Sequence, residues 1–333
     1  MAEVRAKMVF LPLEEFVLMP VSMLRAWGAR VSDEVPGLDV VVVDAGADPH
    51  SELADADAVF GGLTPELLRA APHLRWLQAP AASPPAGFFF PELVEHPVVV
   101  TNLRGVYRAN LANHVMAFVL SFARGLPWFA AKQVQKEWHG WDRSSEAGIK
   151  DLGACTALIV GVGEVGAEVA RRCRAFDMRV IGVDARPSEL SAGVDELHAP
   201  DELDRLLPGA DFVVLTVPHT PETVGMMNTA RLTRMKPSAV LINVGRGVTV
   251  RLDDLVSALD AGVIAGAALD VFELEPLPAD HPLWSRPNVI VTPHVAGFGQ
   301  DTDPEREELI VDNCRRFVDG RPLRNVVDKA MWF

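Results

Sequence analysis

Three residues far apart in the chain share a setting that chemistry can use. Arg246 follows the apolar run AVLINV (239–244), Glu275 follows GAALDV (266–271), and His294 follows VIVTP (289–293). Each run reads as a buried strand, and open α/β sheets bind ligands beyond the carboxyl ends of their strands. Taken singly, Arg246 could be a surface ion pair, Glu275 a solvated loop acid and His294 a capping histidine. Together they meet the needs of 2-keto acid reduction: a cation to hold the carboxylate, an acid to protonate the carbonyl oxygen, and an anion that keeps that acid protonated near neutral pH.

A hydride source is implied upstream. Gly161-Val162-Gly163-Glu164-Val165-Gly166 directly follows the strand ALIV and opens the helix AEVARRCRAF, the context that turns a G-x-G-x-x-G pattern into a dinucleotide turn. Gly161 permits the tight turn, Gly163 lets the backbone approach a pyrophosphate, and Gly166 lets helix and strand pack, while the helix N-terminus stabilises phosphate charge. Glu164 and Val165 complete the turn as cofactor-binding candidates. Asp184 ends the next strand, RVIGVD, where a carboxylate bonds ribose hydroxyls and repels a 2′-phosphate. NAD is therefore expected over NADP, with Arg186 as the residue that could instead pair with that phosphate.

The elements that must hold these residues form two α/β series. The first has strands at 38–44, 58–60, 74–78 and 98–101, a helix at 21–28 stopped by Gly28, and a helix TPELLRAA capped by Thr64 with Pro65 at its first position. One long helix follows at about 109–124, within an apolar segment (111–131) that reads as a buried helix, and then an irregular stretch carries Trp138 and Trp141. Six strands then run from 157 to 293, and a last helix at 304–319 ends at Gly320, its tail returning to the first series. At 333 residues, two domains are expected.

Composition narrows the classes further. Hydrophobic residues make up 49% and charged residues 23%, which is ordinary for a globular protein. With 31 Lys plus Arg against 45 Asp plus Glu, the net charge of −14 argues against nucleic acid as a partner. Segment 111–131 carries Asn113, His114, Ser121, Arg124 and Pro127, too polar and broken for a membrane span, and no signal peptide is visible. Cys155, Cys173 and Cys314 lack paired or zinc-type spacing, so no metal is assigned and a reducing, cytoplasmic setting is expected. His50, His73, His96, His139, His198, His219 and His281 are scattered and read as surface or capping residues.

An ordered set of motifs then fixes a resemblance. TNLRGVYRANLANHV (101–115), LIVGVGEVG (158–166), VPHTPETVGMMN (217–228), MKPSAVLINVGRG (235–247), AALDVFELEPLP (267–278), NVIVTPHVAG (288–297) and GRPLRNVVD (320–328) resemble the D-isomer-specific 2-hydroxyacid dehydrogenase family nearly end to end. The fold so implied is α/β, with two doubly wound parallel-sheet domains and a cleft between them: a Rossmann NAD domain at 104–295 and a flavodoxin-like substrate domain at 1–103 and 296–333. By resemblance, His294 is the acid/base, Glu275 orients it and Arg246 holds substrate. Val217, Pro218, Thr223, Val244, Gly245, Asp270, His294 and Gly297 surround the NAD, with Asp270 near the carboxamide. A homodimer is implied, and Trp138, Trp141 and the end Trp332-Phe333 are candidates for dimer contacts or for residues that reach a neighbouring active site.

Two departures and two rivals accompany it. Asn113 stands where the family usually has an acid. The substrate loop, commonly A-G-V-D with backbone N–H groups for the carboxylate, here reads Ala82-Ser83-Pro84-Pro85, and proline has no N–H. Ala82 and Ser83 remain the substrate-loop candidates. The smallest keto acids are expected to bind weakly, with Phe88 to Phe90 as core, interface or pocket-shaping residues. The rivals are phosphite oxidation within the family and a corepressor-like, NAD-sensing binding protein.

Overall fold

The computed structural model describes residues 6–12, 19–82, 84, 87–138, 147–186, 193–299 and 302–332. The chain divides into two compact units, Met1–Val106 with Gln300–Phe333, and Tyr107–Gly299.

The first unit is built on five parallel strands, β1 (Ala6–Phe10), β2 (Leu38–Val42), β3 (Ala58–Phe60), β4 (Trp76–Gln78) and β5 (Val99–Thr101), in the order β2-β1-β3-β4-β5. Val41, Val9, Val59, Leu77 and Val100 align across all five, so one apolar row runs through the sheet. That order is flavodoxin-like. β1 was not among the expected strands. Nor does the first helix stop at Gly28: it spans Val21–Glu34, and Gly28 is buried within it. A Cβ there would lie 2.9 Å from Val42 Cγ2, so the glycine serves close packing of helix on strand rather than termination. Thr64 caps Pro65–Ala70, its hydroxyl accepting from Leu67 N at 3.2 Å. Phe88 and Phe89 lie in the core of this unit with rings 5.0 Å apart, in line with the core reading. Helix Thr302–Val318 belongs here, and beyond Gly320 the tail pairs Val326 with Thr101.

In the second unit seven parallel strands are described: β6 (Thr156–Val160), β7 (Arg179–Val183), β8 (Glu196–His198), β9 (Phe212–Leu215), β10 (Val240–Asn243), β11 (Gly266–Leu269) and β12 (Val289–Val291), ordered β12-β11-β10-β9-β6-β7-β8. Renumbered from β6, this is the Rossmann order with one strand added. Ile181, Leu158, Val213, Leu241, Ala267 and Val289 form its apolar row, and Glu196 ends it on β8. β8 is the strand beyond the six expected; as a short, polar edge it lacks the apolar run that marks the others. The helix expected at about 109–124 is present, but the apolar segment 111–131 is not one buried helix. Arg108–Ala123 and Leu126–Gln135 meet at 64°, and none of the second helix's residues is buried. Gly125 makes the break with φ 66°, where a Cβ would come within 2.6 Å of the Ala147 carbonyl. Among the described residues no single helix is long and apolar enough to cross a membrane.

Candidate active site

Every chemical candidate on the second unit sits just past a strand end on one edge of its sheet. Asp184 follows β7, the glycine turn β6, Val217 and Pro218 β9, Arg246 β10, Asp270 and Glu275 β11, and His294 β12. From β10 to β7 is three strand spacings, about 14 Å, so this edge suits an extended ligand with different chemistry at its two ends.

At the β6 end the backbone is tightly specified. Gly161 has φ 95°, and a Cβ on Gly166 would stand 2.0 Å from the Gly161 carbonyl oxygen. A Cβ on Gly163 would meet nothing within 4 Å, which leaves open space over the N-terminus of helix Glu164–Ala175. This cradle of small residues at a helix N-terminus fits a dinucleotide pyrophosphate. Asp184 Oδ2 accepts from Val162 N at 2.6 Å and Oδ1 from Arg186 N at 2.7 Å. Each oxygen keeps a second lone pair for a ribose hydroxyl. Thr216 was not singled out by sequence, yet its hydroxyl donates to the Gly161 carbonyl at 2.5 Å and ties β9 to the turn. Thr223 accepts from Thr220 N at 2.9 Å and donates to the Pro218 carbonyl at 2.7 Å, shaping the loop after β9.

Beyond β10 the turn is organised from inside. Asn243 is fully buried; its Nδ2 donates to the Arg246 carbonyl at 3.0 Å and its Oδ1 accepts from Gly245 N at 3.1 Å. Val244 is buried, a Cβ on Gly245 would come 2.7 Å from the Val217 carbonyl, and one on Gly247 would overlap Phe272 at 1.9 Å. The half-buried Arg246 donates through Nη1 to the Gly245 carbonyl at 2.6 Å. Burial pushes its guanidinium below the ordinary range, and the Glu275 charge opposes that.

The acid/base candidates meet. His294 Nδ1 lies 2.7 Å from Glu275 Oε2, and the other carboxylate oxygen accepts from Phe272 N at 2.9 Å. Burial pushes the Glu275 carboxyl up, but hydrogen bonds from His294 and Phe272 N, with the charges of His294 and Arg246, hold it below the usual carboxylate range. An ionised carboxylate only accepts, so Nδ1 carries the hydrogen and Nε2 is the atom left to exchange a proton with a ligand. The histidine side chain is 52% exposed, enough for a ligand to reach it. Its backbone is left-handed at φ 55°. Asp270, 1% exposed, holds that turn: its carbonyl accepts from His294 N at 2.8 Å, and its carboxylate from Val295 N and Ala296 N, each at 2.9 Å. The Gly297 carbonyl accepts from Asn110 Nδ2 at 3.3 Å.

The structure thus gathers Arg246, Glu275, His294, Asp270 and the glycine turn on one sheet edge. Ala82 belongs to the other unit, where its carbonyl accepts from Asn102 Nδ2 at 2.8 Å; Ser83, Trp141, His139 and Phe333 lie outside the described residues. Asn113 accepts from Arg172 Nε at 3.1 Å on the helix after the glycine turn. His281 caps the turn at Leu283. Among the described residues no group of His, Cys, Asp or Glu is arranged to hold a metal. The overlooked Thr216 and Asn243 share a sequence signal: each is a lone polar residue near the end of an otherwise apolar strand run.

Residues 116–296 match the family described as D-isomer specific 2-hydroxyacid dehydrogenase, NAD binding domain. The chain belongs to this family. A glyoxylate reductase from Korarchaeum cryptofilum is 34% identical over 90% of this chain and 89% of its own length. Among solved structures, an NADPH-dependent glyoxylate/hydroxypyruvate reductase from Sinorhizobium meliloti, in complex with NADP and sulfate, superposes with TM-score 0.83 at 28% identity, covering 98% of this chain and 100% of that one. A D-lactate dehydrogenase from Aquifex aeolicus, complexed with NAD and lactic acid, gives TM-score 0.74 at 26% identity, covering 94% and 96%. As a 2-hydroxyacid dehydrogenase the chain is an oxidoreductase, linked by hydride transfer to a nicotinamide dinucleotide.

Proposed function

We propose that this 2-hydroxyacid dehydrogenase reduces a small 2-keto acid to the D-2-hydroxy acid with NADH. The observation that carries the reading is the 2.7 Å contact of His294 Nδ1 with Glu275 on the edge that also holds the glycine turn and Arg246. In it, 104–295 is the NAD-binding domain, and 1–103 with 296–333 the substrate domain. Gly161, Gly163, Gly166 and Asp184 hold the dinucleotide, with Pro218, Val244 and Asp270 along its path. Bound there, the reduced nicotinamide supplies the hydride. Arg246 holds the substrate carboxylate through paired N–H bonds. His294 Nε2 gives its proton to the keto oxygen, and Glu275 stabilises the imidazolium beforehand and orients the ring. The relatives named above reduce glyoxylate or hydroxypyruvate, or oxidise lactate, which favours this reading over phosphite oxidation or a corepressor role.

Asp184 supports NADH over NADPH, although a relative was solved with NADP. The test is kcat/KM with both reduced cofactors across glyoxylate, pyruvate, hydroxypyruvate and phenylpyruvate. Faster turnover with NADH is expected; equal or better turnover with NADPH would hand the pocket to Arg186. Pro84 offers no backbone N–H, so glyoxylate and pyruvate should show the higher KM values, and Pro84→Val should lower them. We further read the protein as a cytoplasmic homodimer. The unburied helix Leu126–Gln135, with Val134 84% exposed, and Trp138 just beyond it, 96% exposed, support the dimer, which light scattering would test. Three buried thiols, free of disulfides, suit a reducing compartment.

A further inference from the structure

We propose that His114 is a positioning residue of this site: its Nε2–H donor locks the Thr292 hydroxyl onto Asp270 and so holds the turn that carries His294. The inference rests on the reading of His294 as proton donor, but its geometry stands independently. Thr292 Oγ1 is 2.6 Å from Asp270 Oδ1, and His114 Nε2 is 3.0 Å from the same hydroxyl and 3.9 Å from the carboxylate. A hydroxyl has one proton, and an ionised carboxylate can only accept. Thr292 therefore donates to Asp270 and must accept from His114, which fixes the neutral imidazole as the Nε2–H tautomer. Burial pushes this imidazole down, against the Asp270 charge, and so favours the neutral ring. The Phe118 ring, edge-on at 4.5 Å, steadies it.

The consequence reaches the acid/base. Residues 292, 294, 295 and 296 all bond to Asp270, through its carboxylate or its carbonyl. Without the His114 donor, the Thr292 oxygen loses a partner in a half-buried position and its hydroxyl can rotate off the carboxylate. The left-handed turn at His294 then loses one of the contacts that over-determine it.

Two substitutions separate positioning from packing. Gln at 114 carries an amide N–H at nearly the reach of Nε2, whereas Leu fills similar space with no donor. H114L should lower kcat for keto acid reduction about 10- to 100-fold, with the NADH Kd shifted by no more than about threefold, and H114Q should recover most of the lost kcat. Equal losses in both variants, or no loss in H114L, would overturn the proposal. A readout without turnover is the long-range 1H–15N spectrum of histidine-labelled protein, where the ring signals lost in H114Q should show the Nε2–H pattern near neutral pH. An Nδ1–H pattern would overturn it. The tautomer is read whether or not keto acids turn over, so an inactive parent protein showing Nε2–H would refute the proposed function and leave this contact standing.

Discussion

β1 in the first sheet and β6 in the second occupy the same place: each lies between two parallel neighbours where the strand order reverses. Topology alone opens a crevice at both points. Past β1 the chain continues as Leu11 and Pro12, with Leu11 N still bonded to the Phe60 carbonyl at 2.9 Å. Past β6 it turns sharply through Gly161, with Gly166 packed against the Gly161 carbonyl, and open space at Gly163 lies over the N-terminus of the next helix. The outer strand ends differ likewise. After β5, Asn102 bonds its own chain at Ala82 and Arg104, whereas the ends of β10, β11 and β12 present a cation, an anion and an imidazole to one another. A parallel sheet supplies a place for a ligand, and the residues at its carboxyl edge decide whether anything binds there.

The contrast can be broken most sharply at His294. His294→Gln should lower kcat about 10³-fold while NADH still binds, measured by steady-state turnover and by quenching of protein fluorescence. Retained turnover would show that another group donates the proton. Next, Gly166→Ala forces a Cβ to within 2.0 Å of the Gly161 carbonyl and should weaken NADH at least about tenfold, with a stability loss of about 1–3 kcal/mol or more. Gly163→Ala, with nothing within 4 Å, should leave the melting temperature unchanged and weaken NADH alone. If both alanine variants bind NADH normally, the glycine turn is not what separates the two sheets.

Glu275→Gln sharpens the comparison through pH. Its carboxyl is held below the ordinary value of 4.5, so its stabilising contacts are fully present above about that pH and disappear as pH falls through the lower folded value. The melting-temperature gap between parent and variant should therefore narrow on acidification below that value. Turnover of the variant should fall modestly, with the loss of keto-acid reduction at high pH beginning at a lower pH, because the anion favouring the imidazolium is gone. The smallest effect belongs to the first sheet. Gly28→Ala should change stability by no more than about 1 kcal/mol, since gained helix propensity opposes the close approach to Val42, and should leave kcat and KM untouched. A kinetic effect there would mean that packing at this helix is not separate from the chemistry on the second sheet.

The parts legible in sequence are those where one local signal has one meaning. Runs such as AVLINV and ALIV sit in the sheet interior, where burial on both faces demands an unbroken apolar string, so β10 and β6 stand out. β8 could not, because an edge strand of three residues containing Glu196 and His198 carries no such demand. Gly28 misled because a glycine that stops a helix and a glycine that lets a strand approach it look alike until the neighbour, Val42, is known. The polar candidates Arg246, Glu275 and His294 were legible from their positions after strands. Their supports were not: Asn243 and Thr292 act through contacts folding creates, and His114 lies some 180 residues from the hydroxyl it meets.

One consequence of the left-handed backbone at His294 lies in how the protein would evolve. A non-glycine residue at φ 55° carries a conformational penalty of about 1–2 kcal/mol, and glycine or asparagine would relieve much of it. Libraries selected for heat resistance alone, with no screen for turnover, should therefore accumulate Gly and Asn at position 294, trading the imidazole for a relaxed chain. Such enrichment would mark the site as one that selection for activity maintains against the preference of the fold.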